Sequence, residues 1–228
     1  MDAVAVILAA GQGVRMGEKY NKLLLPLGTS TIIECSLEPF LKHTGIQKIF
    51  LTVASQDRRF FERLIPKEVI LVEGGKRRQD SVHNALLRIV QEKPVPEIVL
   101  VHDGARPFCS AALIDNILAV VHQHGAVIPV LPIVDTIRRV KKENTEVFDR
   151  TELFAVQTPQ GFHTEVLKDA SMQAVANNWN VTDDASLVEK NGGRVATVEG
   201  ELQNIKITTP EDLEWADYVL NSKKCTYN

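Results

Sequence analysis

Short runs of Val, Ile and Leu alternate along the chain with longer segments of helical period, and this alternation restricts the fold more than any other feature. The apolar runs fall at residues 4–9, 48–53, 69–73, 98–102 and 127–131. None shows the polar alternation of a strand with one wet face, so each is expected to be covered on both sides. Between them lie helical stretches at 31–42, 80–91 and 112–122; in the last, Leu113, Ile117, Val120 and Val121 form one stripe. Repetition of strand and helix in this order builds an α/β, Rossmann-like three-layer fold around a mostly parallel sheet. At 228 residues the chain fits a single domain of this type, spanning 1–228.

Helix starts are marked by Ser110, by Thr182 opening Thr182-Asp183-Asp184, and by Thr209-Pro210-Glu211-Asp212, which joins an N-cap, a first-turn proline and an acidic third position. Residues 204–210 read as a short strand in which Ile205 and Ile207 share one face and Lys206 points to the other. One stretch interrupts the alternation. Residues 135–150 are charged, with a plausible turn at 141–145 between β-prone flanks. They read as a projecting β-hairpin arm, about 134–152 in all. A lone two-stranded ribbon is marginal in water, so the arm is expected to pack against a second copy of the chain.

Composition excludes several partners. A net charge of −3 offers no field for a polyanion, and 6% aromatic residues provide no base-stacking surface, so no nucleic acid is expected. No segment holds the roughly 18 uninterrupted apolar residues that cross a bilayer. The apolar start follows Asp2 instead of a basic region and runs into glycines, unlike a secretory signal. The three cysteines, Cys35, Cys109 and Cys225, lack metal-ligand spacing and read as thiols of a reducing compartment, the cytoplasm.

Chemistry concentrates at the carboxyl ends of the apolar runs. Ala9-Ala10-Gly11-Gln12-Gly13-Val14-Arg15-Met16-Gly17 follows the first run, and such a glycine-rich turn lets backbone N–H groups approach phosphate oxygens. Its glycine spacing departs from the dinucleotide fingerprint, and no Lys-Ser/Thr pair follows as in a P-loop. Arg15 and Lys22 instead supply two cations beside the loop, suited to a triphosphate and a departing pyrophosphate. Gly74-Gly75 leads into a helix whose first turn carries Ser81, placed to meet a base edge. Asp103 ends the fourth run, where a single carboxylate suits a Mg²⁺ ion that completes its shell with phosphates and water. Arg106 is placed to meet another anion, His102 reads as a packed core residue, and Lys206 reads either as plain surface or as a cation for an α-phosphate.

The ordered set LAAGQGVRMG, Lys22, GGKRRQDSV, VHDGARPF, Asp135-Thr136, Asp149-Arg150, QTPQGF, TDDAS and NIKIT resembles the 2-C-methyl-D-erythritol 4-phosphate cytidylyltransferase family over residues 3 to 220. The resemblance implies transfer of a cytidylyl group from CTP to a polyol phosphate in non-mevalonate isoprenoid synthesis, with Mg²⁺ and a homodimer built by the arm. It further implies that Arg15, Lys22 and Lys206 bind the CTP phosphates and Asp103 holds the metal. Gly75 and Ser81 would read cytosine, while Ala9, Ala10, Gly11 and Gly13 would line the nucleotide. Arg106 would position the polyol phosphate, joined by Thr136 and Arg150 from the partner's arm. Lys76 stands where relatives often carry an acidic residue, and Gln12 sits at a tolerant loop position. A ribitol 5-phosphate cytidylyltransferase is the nearest alternative; a nucleotide-binding module without turnover and an NAD-linked dehydrogenase are more distant ones.

Overall fold

The computed structural model describes residues 2–11, 21–142 and 144–225, the last four of these for their backbone alone. In chain order the elements are β1 (Ala3–Leu8), β2 (Pro26–Leu27), β3 (Ser30–Thr31), α1 (Ile32–Lys42), β4 (Ile46–Val53), α2 (Arg58–Leu64), β5 (Val69–Glu73), α3 (Arg78–Ile89), β6 (Ile98–Asp103), α4 (Ala111–His124) and β7 (Ala126–Pro132). There follow β8 (Arg138–Lys141), β9 (Asn144–Val147), β10 (Phe154–Val156), β11 (Gln160–His163), α5 (Thr164–Ala176), α6 (Asp184–Lys190), β12 (Ala196–Glu199) and α7 (Pro210–Cys225).

The main sheet runs β10-β7-β11-β6-β1-β4-β5, with β12 on the other edge of β7. Neighbours β6, β1, β4 and β5 are parallel, as the unbroken apolar runs require. Side chains alternate between the two faces and both are buried. Ala3, Ala5, Ile7, Ile49, Leu51, Ile98 and Leu100 pack with Leu37 and Phe40 of α1 and Ile114 and Ile117 of α4. Val4, Val6, Phe50, Val99 and Val101 pack on the opposite side with Val82 and Leu86 of α3 and Leu167 and Ala170 of α5. The result is three layers, in agreement with the expected α/β architecture.

Local chemistry sets the helix ends. Thr31 and Glu34 form a reciprocal capping box at the start of α1, and Ser110 Oγ accepts the Leu113 N–H at the start of α4. Gly125 ends α4 at φ +77°, the left-handed conformation glycine adopts without strain. Two starts differ from expectation. Helix α3 begins at Arg78 because the Asp80 carboxylate accepts the Arg77 N–H at 3.1 Å. The cap of α6 is Asp183, one residue later than Thr182, with its carboxylate accepting from Ser186 N–H at 3.1 Å.

The expected strand at 204–210 is absent: Ile207 N–H makes a 2.8 Å bond to the Ala105 carbonyl, but no ladder forms. The face alternation survives, with Ile207 buried and Lys206 exposed. The hairpin arm is present as β8 paired with β9, Arg138 opposite Val147, with every residue of both strands exposed. β10 and β11 were not foreseen. They run antiparallel along one edge of β7, and β11 wedges between β6 and β7.

Candidate functional site

The carboxyl ends of β1, β5 and β6 open onto one cavity of about 370 Å³. Its wall includes Ala10 and Gly11 after β1, Gly75 after β5, Ser81 on α3 and Asp103 at the end of β6, with Lys22 and Lys206 at one side. Two glycines let these loops converge. A Cβ on Gly74 would lie 2.2 Å from the Ala10 side chain, and one on Gly104 would lie 2.8 Å from the Leu8 carbonyl oxygen. Ser81 Oγ accepts the Gly75 N–H at 3.0 Å and so fixes the β5 loop against the first turn of α3.

Beneath the cavity lies a charged junction. Asp103 takes Lys206 Nζ on Oδ2 at 2.7 Å and Arg78 Nε on Oδ1 at 3.3 Å, with Arg106 Nε 3.9 Å from Oδ2. Burial alone would raise the Asp103 pKa, but Arg78 and Lys206, with Arg106, outweigh it and hold the carboxyl well below the usual range. It is ionised at any physiological pH. Arg78 also donates from Nη1 to the fully buried Asp184 at 2.6 Å. Burial works against the Arg78 charge, and Asp184 and Asp103 more than offset it. Burial raises the Asp184 pKa, opposed by Arg78.

Behind Asp103, His102 is fully buried and tilted against Phe40 with ring centroids 4.9 Å apart. Nε2 lies 3.0 Å from the Arg106 carbonyl, which only accepts, so that nitrogen carries the proton. Nδ1 then accepts from Thr158 Oγ1 at 3.1 Å, and Thr158 Oγ1 accepts from the Asp103 N–H at 3.0 Å. Burial pushes the imidazole pKa down to about 4. The packed reading of His102 holds, and the ring orients Asp103 and Arg106 through this relay.

A second cavity of about 480 Å³ adjoins the first. Arg106, Gln157, Thr158, Gln160 and Ser186 line it, and it shares Arg78, Asp103 and Lys206 with its neighbour. Arg106 donates to the Asn204 carbonyl at 2.7 Å, while its Nε, enclosed, has no hydrogen-bond partner among the described residues. Its charge is therefore only partly answered by the described residues.

The expected residues divide into four groups. Ala10, Gly11, Lys22, Gly75, Ser81, Asp103, Arg106 and Lys206 meet around these cavities. Lys22 Nζ donates to the Ile207 carbonyl at 2.6 Å, which brings it to the segment that carries Lys206. Ala9 lies behind the wall, with its N–H bonded to Thr52 and its carbonyl accepting from Asn21. Thr136 and Arg150 stand exposed at the base of the arm, the Arg150 guanidinium on the Val134 carbonyl, away from both cavities of their own chain. Arg15 and Gly13 lie outside the described residues.

Sequence reasoning passed over Arg78, Thr158, Gln160 and Asp184. Arg78 and Asp184 sat inside quoted motifs, but nothing local marks a cation as buried when its partner is 106 positions away. Burial pushes the thiol pKa of Cys35 up to about 11 and that of Cys109 higher still, so neither resembles an activated nucleophile. No described helix is long and apolar enough to cross a membrane.

Known proteins resemble this chain over nearly its whole length. The sequence pattern of 2-C-methyl-D-erythritol 4-phosphate cytidylyltransferase matches residues 3–222. The enzyme of that name from Bacillus velezensis is 41% identical, with all of both chains covered. The one from Bacillus cytotoxicus is 44% identical over 96% of this chain and 98% of its own. The crystal structure of the Thermus thermophilus enzyme superposes with a TM-score of 0.80 at 33% identity, covering 97% of this chain and 100% of that one. The chain belongs to the 2-C-methyl-D-erythritol 4-phosphate cytidylyltransferase family.

Proposed function

We propose that this enzyme transfers the cytidylyl group of CTP to 2-C-methyl-D-erythritol 4-phosphate, releasing pyrophosphate, with one reactant in each of the two adjoining cavities. The observation that carries this arrangement is the shared wall: Arg78, Asp103 and Lys206 border both spaces. A reaction that joins two polyanions needs cations and a fixed geometry at the meeting point. The attacking phosphate is already ionised, so no general base is required, and catalysis rests on positioning and electrostatics.

In this scheme Lys22 and Lys206, with Arg15, hold the triphosphate. Gly75 and Ser81 meet cytosine beside the Ala10–Gly11 turn. Arg106, whose enclosed Nε lacks a hydrogen-bond partner among the described residues, faces the polyol phosphate in the second cavity. Thr136 and Arg150 reach that phosphate from the arm of a second copy, since they stand clear of the cavities of their own chain. Exposed Val134, Val140, Val147, Phe154 and Val156 on and beside the arm give such a homodimer its apolar contact.

The residues present fit a Mg²⁺ ion that arrives with the triphosphate. Asp103 is a single ionised carboxylate among three cations, too little to hold a hard dication alone. Phosphate oxygens would supply the remaining ligands once Lys206 shifts from the carboxylate to a phosphate. The ion would neutralise charge on the phosphates. The free Cys35 and Cys109 support action in a reducing compartment such as the cytoplasm.

A pyrophosphate-release assay with CTP and Mg²⁺ tests the reading. Turnover is expected with the erythritol phosphate and at most slight turnover with ribitol 5-phosphate. Equal or reversed preference would overturn the substrate assignment, and no release with either would overturn the enzyme.

A further inference from the structure

At the opposite end of the sheet from Asp103, Glu97, His122 and His163 bring one ligand atom each to within 4.8 Å of one another, the one such trio found among the described residues. Glu97 precedes β6, His122 sits in the last turn of α4, and His163 ends β11. Six strand positions separate Glu97 from Asp103, about 20 Å at ~3.3 Å per residue, so this group is remote from the two cavities.

Backbone hydrogen bonds hold the three segments together without help from these side chains. The His163 N–H donates to the Gly125 carbonyl at the end of α4, and the Thr164 N–H donates to the Glu97 carbonyl, at 2.8 and 2.9 Å. The His122 and Glu97 side chains, each 51% exposed, lie 3.7 Å apart at Nδ1 and Oε1. Their mutual contact accounts for those two. It leaves the half-buried His163, whose enclosed Nε2 has no hydrogen-bond partner among the described residues. An enclosed ring nitrogen without a partner is costly unless something meets it.

We propose that Glu97, His122 and His163 form a binding site for a borderline transition-metal dication of the Zn²⁺ type. Two imidazoles and one carboxylate make the three-ligand set of an open zinc site, whose fourth position is taken by water. Ligands of this kind select Zn²⁺, Ni²⁺ or Cu²⁺ over Mg²⁺, which prefers oxygen. The three ligand atoms already lie within 4.8 Å of one another, and the half-exposed side chains of Glu97 and His122 have room to turn toward a tetrahedral shell. The bound ion would tie α4, the entry to β6 and the β11–α5 junction into one unit.

The test titrates Zn²⁺ alone into the full chain by calorimetry with millimolar Mg²⁺ present to occupy oxygen-rich sites, and repeats it with Co²⁺ as a visible-absorption probe. One equivalent is expected to bind with micromolar or tighter affinity, with the intense d–d bands of a low-coordinate Co²⁺ site. A several-fold excess of Zn²⁺ over its dissociation constant should raise Tm by a few degrees. H122A and E97Q alter exposed side chains and should keep the fold, which circular dichroism checks, yet weaken Zn²⁺ at least tenfold and abolish the Co²⁺ bands. Wild-type chain without one-equivalent binding, or H122A with wild-type affinity and spectrum, would overturn the proposal. CTP turnover in H122A without added Zn²⁺ is expected to match wild type, which separates this site from the catalytic one.

Discussion

The junction beneath the cavities and the β8–β9 arm both rely on charged side chains, yet they are built in opposite ways. At the junction Asp184 is wholly buried, and Asp103 and Arg106 keep about a tenth of their side-chain surface. On the arm, the Arg139–Glu146 pair spans two strands whose every residue is exposed, each partner about half accessible. Charges removed from water must be answered by partners, so the junction is a network in which each group fixes the next. Charges left in water interact weakly and are replaceable. The first kind of construction suits a rigid floor; the second suits a limb whose side chains meet mainly water in their own chain.

The largest effect expected from breaking this contrast is at Arg78. Arg78→Met leaves Asp184 buried with no cation, a defect that commonly costs about 3–5 kcal/mol. Urea denaturation should show a loss of that order, and adding Asp184→Asn should recover part of it. A loss below about 1 kcal/mol would mean that the junction is no more tightly coupled than the arm.

Lys206 comes next, and its effect should fall on rate instead of stability. Its ammonium reaches Asp103 from the exposed side, so removal strands no buried charge. Lys206→Ala is expected to lower kcat by about 10²–10³, equivalent to ~2.7–4 kcal/mol in the barrier, with Tm little changed. Unchanged kcat at saturating CTP would refute its contact with the phosphates.

These two lysine and arginine positions also mark the boundary of what the sequence reveals. The parallel strands were legible because a run such as Ile98–Asp103, buried on both faces, has no polar alternation to confuse it. Asp103, Lys22 and the glycine loops were legible because strand ends in such sheets gather there. Arg78 was not, since its partner Asp184 is brought to it only by the packing of α6 against α5 and β7. β10 and β11 also escaped notice. They are short, are joined through Gln157-Thr158-Pro159, and owe their strand form to the space beside β6 and β7, not to their own propensity. At residues 205–207 the pattern was right that the isoleucines turn toward the core and Lys206 away, and wrong about a ladder, because alternation records burial and not hydrogen bonding.

The His102 relay sharpens the comparison through pH. Its pKa falls from an ordinary 6.5 to about 4 because burial opposes the charged ring. The unfolded chain therefore takes up this proton first as pH falls. The stability contributed by neutral His102 is complete above pH 6.5 and is lost progressively down to about pH 4, on the order of 3 kcal/mol. Asp184, whose pKa burial raises, acts in the opposite sense at the acid end, but it is common to any pair of variants compared at this position. The difference in unfolding free energy between wild type and His102→Asn should shrink by that amount from about pH 7 to about pH 4. Parallel pH curves would remove His102 from the account of acid sensitivity.

The arm gives the smallest expected change in stability and the most informative one in kinetics. Arg139→Ala breaks an exposed cross-strand pair and should cost less than about 1 kcal/mol. Arg150→Ala is equally exposed and should likewise leave Tm close to wild type, since its guanidinium is held within the described chain by the Val134 carbonyl. If that guanidinium serves the second cavity of a neighbouring copy, Arg150→Ala will raise KM for the polyol phosphate while leaving KM for CTP unchanged. The defect should persist at any protein concentration, whereas a variant that disrupts the dimer itself, such as Val140→Asp, should lose activity on dilution in step with the monomer fraction seen by light scattering. An unchanged polyol-phosphate KM in Arg150→Ala, or full activity from a light-scattering monomer, would confine the arm to a surface ornament and leave the buried junction to act alone.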